Sequence, residues 1–168
     1  MSAPVIINFR EEFSVHLAEI FFETSTNKTF KDQNERDAFY WKYVGFYLSH
    51  FPEYAWLALQ DEKVLGYVLG MPSTENPDLY AIQPHLKAFQ EHFKLYPAHL
   101  HVNCHVDARG QGVGKMLVQK LINQLKAQKI PGLHIMTGPT SDNKNFYQKL
   151  GFDYEIEMNS ILLKGIRI

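Results

Sequence analysis

Cysteine is nearly absent: Cys104 is the one thiol in 168 residues. No intrachain disulfide can form, which fits a reducing compartment. Neither sign of charge is in excess, with 17 Lys and Arg against 18 Asp and Glu and a formal net charge of −1. A general nucleic-acid binder carries a basic surplus, and no local basic run supplies one here, so that class is set aside. No stretch approaches the roughly 20 apolar residues of a membrane span. Residues 1–10 have neither a basic head nor a long apolar core, so they are not expected to act as a leader. Internal repeats and low-complexity segments are also missing. What is there has an ordinary globular balance, 45% hydrophobic and 21% charged. At roughly 100–200 residues per domain, the expectation is a single domain over 1–168 in a soluble, cytoplasmic protein.

Periodicity and turn residues predict the elements. Residues 5–9 read as a strand and 14–23 as a helix, with Val15, Leu17, Ala18, Phe21 and Phe22 near helical spacing. Residues 24–34 are polar and read as a loop. A second helix over 35–50 carries the aromatic stripe Phe39, Tyr40, Trp41, Tyr43, Phe46 and Tyr47, which reads mainly as core packing, the alternative being that some of these rings line a substrate pocket. Strands over 54–59 and 64–71 form a hairpin, and 71–77 reads as loop. Pro84 starts a short helix to 95. A strand over 98–106 meets a helix over 110–128, followed by a strand over 133–137. Thr140 or Ser141 is placed to cap a short helix to 150, with Gly151 as its left-handed stop. Strands over 152–158 and 161–167 close the chain. The expected fold class is α/β (α+β), a mixed twisted sheet flanked by helices on both sides.

The chemistry concentrates at one strand-to-helix junction: Asp107, Ala108, Arg109, Gly110, Gln111, Gly112, Val113, Gly114, Lys115. Three glycines in five residues allow a tight turn and a close approach of backbone to ligand. The helix that follows offers unpaired amides and a partial positive charge, a natural seat for phosphate or pyrophosphate. Arg109 and Lys115 add cationic donors. A nucleotide triphosphatase loop does not fit, because Met116 follows Gly114-Lys115 and Arg109 stands five residues before Gly114. The dinucleotide pattern fails too: its third glycine would fall on Lys115 or Leu117.

Arg109 followed by Gly112 and Gly114 resembles the acyl-CoA pyrophosphate loop of the GNAT N-acetyltransferase superfamily. Asn143, then Phe146-Tyr147, then Lys149-Leu150-Gly151-Phe152 is similar to the second signature of that family. The stretch Asn8-Phe9-Arg10-Glu11-Glu12 also resembles the usual start of such a domain. Tyr96-Pro97-Ala98-His99-Leu100-His101-Val102, running into the loop, looks like the acetyltransferase-like C-terminal domain of O-GlcNAcase and its free-standing bacterial relatives. That likeness covers about 96–152.

The resemblance implies a GNAT fold and acetyl-CoA as co-substrate. It implies that backbone groups of Cys104, His105 and Val106 pair with the pantetheine arm. Arg109 and the stretch Gly110, Gln111, Gly112, Val113, Gly114 and Lys115 would hold the pyrophosphate. Asn143 would contact the cofactor or order the loop before the last helix. Tyr147 would protonate the leaving thiolate; a phenol near pKa 10 and a thiol near 8.5 are close enough for that transfer. The implied acceptor is a small-molecule or protein amine, probed by no recognisable code in the sequence. An acidic residue is expected in the bacterial relatives where Asn103 stands, so no base is assigned there, and His101 or His105 is left to serve. Cys104, of opposite strand parity, reads as a small buried hydrophobe. A metal reading of His99, His101 and His105 meets a geometric obstacle: the last two lie about 13 Å apart along a strand, so His85, His92 or His134 would have to join. The alternative within the same fold is a non-catalytic acyl-CoA-binding or interaction module. A monomer and a homodimer both remain open.

Overall fold

The structure is a computed structural model that describes residues 2–168. Seven strands form one mixed sheet in the order β1-β2-β3-β4-β5-β7-β6, flanked by helices. These are β1 (Val5–Asn8), β2 (Ala55–Gln60), β3 (Lys63–Met71), β4 (Ala98–Cys104), β5 (Gly132–Thr137), β6 (Tyr154–Met158) and β7 (Ile161–Arg167). The pairs β1/β2, β2/β3, β5/β7 and β6/β7 are antiparallel, whereas β4 and β5 run parallel with Ala98 opposite Leu133 and His99 opposite His134. The helices are α1 (Ser14–Thr24), α2 (Gln33–Tyr40), α3 (Phe46–His50), α4 (Pro77–Ile82), α5 (Val113–Ala127) and α6 (Lys144–Lys149). A 3-10 helix spans Pro84–Lys94. Contacts group into two compact units, residues 2–70 with His101–Leu121, and Met71–Leu100 with Ile122–Ile168.

In the first unit, β2 and β3 close through Asp61 and Glu62, both at positive φ, the backbone of a tight hairpin turn. α2 starts where the Asp32 carboxylate accepts the Glu35 amide at 2.9 Å. The expected helix over 35–50 is interrupted. Trp41–Gly45 is a π-helical turn, in which one extra residue widens the backbone ring. That residue rephases the aromatic stripe: Val44, Phe46 and Tyr47 are buried, while Trp41 is 43% exposed. Intrinsic 3.6-residue periodicity carries no sign of such an insertion. β4 ends at Cys104, two residues short of the expected 106. The His105 carbonyl accepts the Ala108 amide at 3.0 Å and turns the chain into a 3-10 turn, Val106–Ala108. α5 begins at Val113 rather than 110, because Gly110 (φ 77°) and Gly112 (φ 80°) are left-handed and cannot enter a right-handed helix.

In the second unit, Asn76 accepts the Leu79 amide at 3.0 Å and Pro77 takes the first helical position, so α4 forms where loop was expected. α6 starts at Lys144, with neither Thr140 nor Ser141 as its cap. Its end is as expected: Gly151 (φ 93°) donates to the Gln148 carbonyl, and Phe152 donates to that of Tyr147.

Candidate functional site

The 105–115 segment is pinned at two points and open between them. Ala108 and Val113 are buried, while Arg109, Gly110, Gln111 and Gly112 are exposed. Gln111 holds the turn from within, its Nε2 donating to the Asp107 carbonyl at 2.7 Å. A Cβ built on Gly110 or Gly112 would meet nothing within 4 Å, so the space above both is clear. α5 begins directly afterwards, and the first turn of a helix leaves its amides without backbone acceptors. The result is a left-handed cradle opening onto a positive helix end, with Arg109 and Lys115 exposed at its rim.

His101, Asn103 and His105 share a face and meet different partners. His101 Nε2 shares a 3.1 Å hydrogen bond with the Tyr47 hydroxyl, and Tyr43 and Tyr47 pack edge-on against its ring. Burial pushes its pKa down to about 4. A ring that weakly basic, already engaged with Tyr47, is a poor proton acceptor for an amine. Asn103 Nδ2 donates to the Tyr67 hydroxyl at 3.1 Å. Tyr67 is fully buried, and burial raises its ionisation well above the ordinary phenol value. His105 Nδ1 accepts the Asp107 amide at 3.2 Å, and its Nε2 lies 3.7 Å from Glu23 Oε1. The accepting nitrogen of that ring is therefore used to shape the loop. Burial pushes the Cys104 thiol up to about 11, with Arg109 pulling the other way, so it stays protonated and unreactive near neutrality. Backbone groups of His105 are also spoken for: its amide donates to the Leu65 carbonyl at 2.8 Å and its carbonyl takes Ala108. Those two bonds occupy the His105 amide and one acceptor position of its carbonyl. Amide direction alternates along β4, so Cys104 addresses the opposite edge, whereas Val106 opens the 3-10 turn and its carbonyl takes the Arg109 amide at 3.3 Å.

The depressed His101 sets a pH dependence. An unfolded histidine takes up a proton near pH 6.5, whereas folded His101 resists until about pH 4. Between those values the unfolded state binds more protons, so stability falls as pH falls. Urea unfolding of the parent at pH 5 is expected to lie about 2 kcal/mol below pH 8 on account of this residue. His101→Gln is expected to remove that increment, and an unchanged difference would contradict the burial of the ring.

In the second unit, Tyr147 is buried in α6, its ring edge to face with Phe146 and Phe152 at 5.1 and 5.4 Å. Asn143 Oδ1 accepts the Thr137 hydroxyl at 2.9 Å, tying the start of α6 to the end of β5. Of the two roles expected for Asn143, this contact serves the ordering of the loop. His99 and His134 are committed to the core: Nδ1 of His99 bonds the Thr74 hydroxyl, and Nδ1 of His134 bonds the Tyr96 carbonyl. Among the described residues no group of three His, Cys, Asp or Glu is arranged to hold a metal ion. No helix among them is long and apolar enough to cross a membrane.

The model of the Acetyltransferase (GNAT) family matches residues 15–152, from α1 to the residue after Gly151. The chain belongs to the GNAT acetyltransferase family. Both glycine-bearing motifs lie inside the matched span. No curated protein matches the chain. Among solved structures, the crystal structure of SsHAT is 18% identical, covering 99% of this chain and 98% of its own, with a TM-score of 0.80. PH1933 from Pyrococcus horikoshii OT3 is 12% identical over 98% of each chain, at 0.76. The PaiA N-acetyltransferase from Thermoplasma acidophilum, solved in complex with coenzyme A, is 14% identical over 99% of this chain and 100% of its own, at 0.71. At such identities the likeness is one of fold. From the sequence, neither Glu23 nor Tyr67 is singled out, and Tyr47 is placed in the aromatic stripe without its hydroxyl partner. Each sits far in sequence from the histidine or asparagine it faces, and nothing in local spacing marks it.

Proposed function

We propose that this GNAT family member binds acetyl-CoA on the 109–115 loop and transfers its acetyl group to a primary amine by direct attack in a ternary complex. The observation that carries the reading is the cradle: two left-handed glycines with clear space above them, opening onto the α5 N-terminus. Diphosphate oxygens suit the amides of Gly112, Val113, Gly114 and Lys115, with Arg109 as a cationic partner. The coenzyme A complex of the PaiA protein is in keeping with this ligand. Cys104 and Val106 are assigned to the pantetheine arm through their backbone groups.

The amine nitrogen attacks the thioester carbonyl carbon, the C–N bond forms and the C–S bond breaks. Tyr147 gives its proton to the departing sulfur, and the amine loses one. A free amine of pKa about 10 is only about one part in a thousand neutral at pH 7, a deficit of about 4 kcal/mol. With His101 held weakly basic and His105 bonded to the loop, that deprotonation is assigned to water beside the site. The same engagement favours a second reading, an acyl-CoA-binding module without turnover. The closer kinship of 96–152 with the acetyltransferase-like domain of O-GlcNAcase, a cytoplasmic location, and action as monomer or homodimer belong to this proposal.

Calorimetric titration with acetyl-CoA tests it. Saturable micromolar binding is expected, weakened at least thirtyfold by Arg109→Glu. A folded parent protein that binds no acetyl-CoA would overturn the reading. Binding without transfer to any amine would favour the second one.

A further inference from the structure

Between the end of α1 and the start of α2 lies an open cavity of about 440 Å³. Phe22 and Phe30, edge to face at 5.8 Å, make its apolar wall. Lys28, Asp32, Gln33 and Arg36 line the polar side. The Arg36 guanidinium carbon sits 3.6 Å from the centre of the Phe22 ring. Arg36 is half-buried, and among the described residues no carboxylate pairs with it. The neighbouring polar groups are engaged elsewhere. Asp32 accepts the Glu35 amide, Glu35 accepts the Lys31 amide, and Gln33 donates to Asp37. Lys28 donates to the carbonyls of Phe22 and Glu23, at the end of α1.

A guanidinium stacked on a ring, partly out of water and lacking a carboxylate, presents a planar fork that suits a planar anion. Lys28 and Arg36 against Asp32 leave one formal positive charge on the lining, which matches a monoanion rather than a phosphate dianion. The two phenyl rings beside the fork favour an apolar body. Ring contacts continue from the cavity toward β4. Phe22 meets Phe21 at 5.0 Å, Phe21 meets Tyr43 at 6.3 Å, and Tyr43 meets His101 at 6.0 Å. Three successive ring contacts thus link the cavity wall to His101 on β4.

We propose that this cavity binds an organic monocarboxylate, its carboxylate on Arg36 and its apolar body against Phe22 and Phe30, and that the carboxylate belongs to the amine acceptor. The first half stands on the cavity; the second rests on the acetyl-transfer reading.

The full chain is titrated calorimetrically, without acetyl-CoA, with 3-phenylpropionate, phenethylamine and benzylphosphonate. Saturable binding of 3-phenylpropionate is expected, at least tenfold weaker in Arg36→Gln, with no binding of phenethylamine. Arg36→Lys keeps the charge and much of the stem packing, which guards against a folding artefact; it is expected to weaken binding at least threefold. Equal binding by parent and Arg36 variants, or tighter binding of benzylphosphonate, overturns the carboxylate site. With acetyl-CoA added, phenylalanine is expected to be acetylated with kcat/KM at least tenfold above phenethylamine, and Arg36→Gln to erase that ratio. No preference for phenylalanine overturns the acceptor assignment alone. Loss of the acetyl-transfer reading shows separately, as failure of the Arg109-controlled acetyl-CoA titration, and leaves the carboxylate result readable.

Discussion

Tyr147→Phe is expected to lower kcat at least a hundredfold while changing acetyl-CoA affinity less than about threefold. General acid catalysis by a positioned side chain contributes roughly 10²–10⁴ in rate, and the substitution deletes only the proton donor. The ring itself stays. Tyr147 is buried between Phe146 and Phe152, and phenylalanine preserves that volume and both edge-to-face contacts, so the fold around α6 is expected to persist. Stopped-time kinetics paired with calorimetry separate the outcomes. An equal loss of affinity and turnover would make Tyr147 a cofactor contact rather than an acid. Unchanged turnover would mean that water protonates the thiolate unaided.

The largest expected loss of stability comes from one methyl group. Gly132, at the start of β5, lies so close to the turn before β4 that an added Cβ would collide with the Leu95 carbonyl oxygen and fall 3.0 Å from Tyr96 Cδ1. The first of these is backbone and cannot swing aside, and β5 is held on the other edge by pairing of Gly132 with Arg167 on β7. Forced overpacking costs about 1–3 kcal/mol and sometimes more, and a rigid backbone neighbour places Gly132→Ala near the top, about 3 kcal/mol. For a chain of this size that is roughly 6–12 °C in Tm. Gly138→Ala is the control, since its Cβ would meet nothing within 4 Å; a change within about 0.5 kcal/mol is expected. A Gly132→Ala protein that melts with the parent would show that the close approach is absent in solution.

The places where sequence reasoning held share a cause. Gly151 ends α6, Gly110 and Gly112 shape the loop, and Pro84 starts its helix because these residues act on their own backbone. The places where it slipped also share one. The π turn at Trp41–Gly45, the early end of β4 at Cys104 and the α4 helix depend on how one short segment settles its hydrogen bonds against alternatives of similar energy. His101 and His105 looked equivalent as bases from strand parity. Only their partners separate them: Tyr47 and burial for one, the Asp107 amide and Glu23 for the other.

Residue types and their spacing were enough to specify the α/β class, most of the element order and the glycine loop, because left-handed glycines, caps and alternating apolar faces are short-range demands on the chain; kinship with the acetyltransferases came from the resemblance of two motifs to that family. The protonation of His101, the inertness of Cys104 and the stacking of Arg36 on Phe22 beside a cavity were decided by tertiary structure. Each depends on which distant side chain arrives and how much water it displaces. Linear spacing does not encode that, because desolvation and partner geometry exist only after the segments have packed.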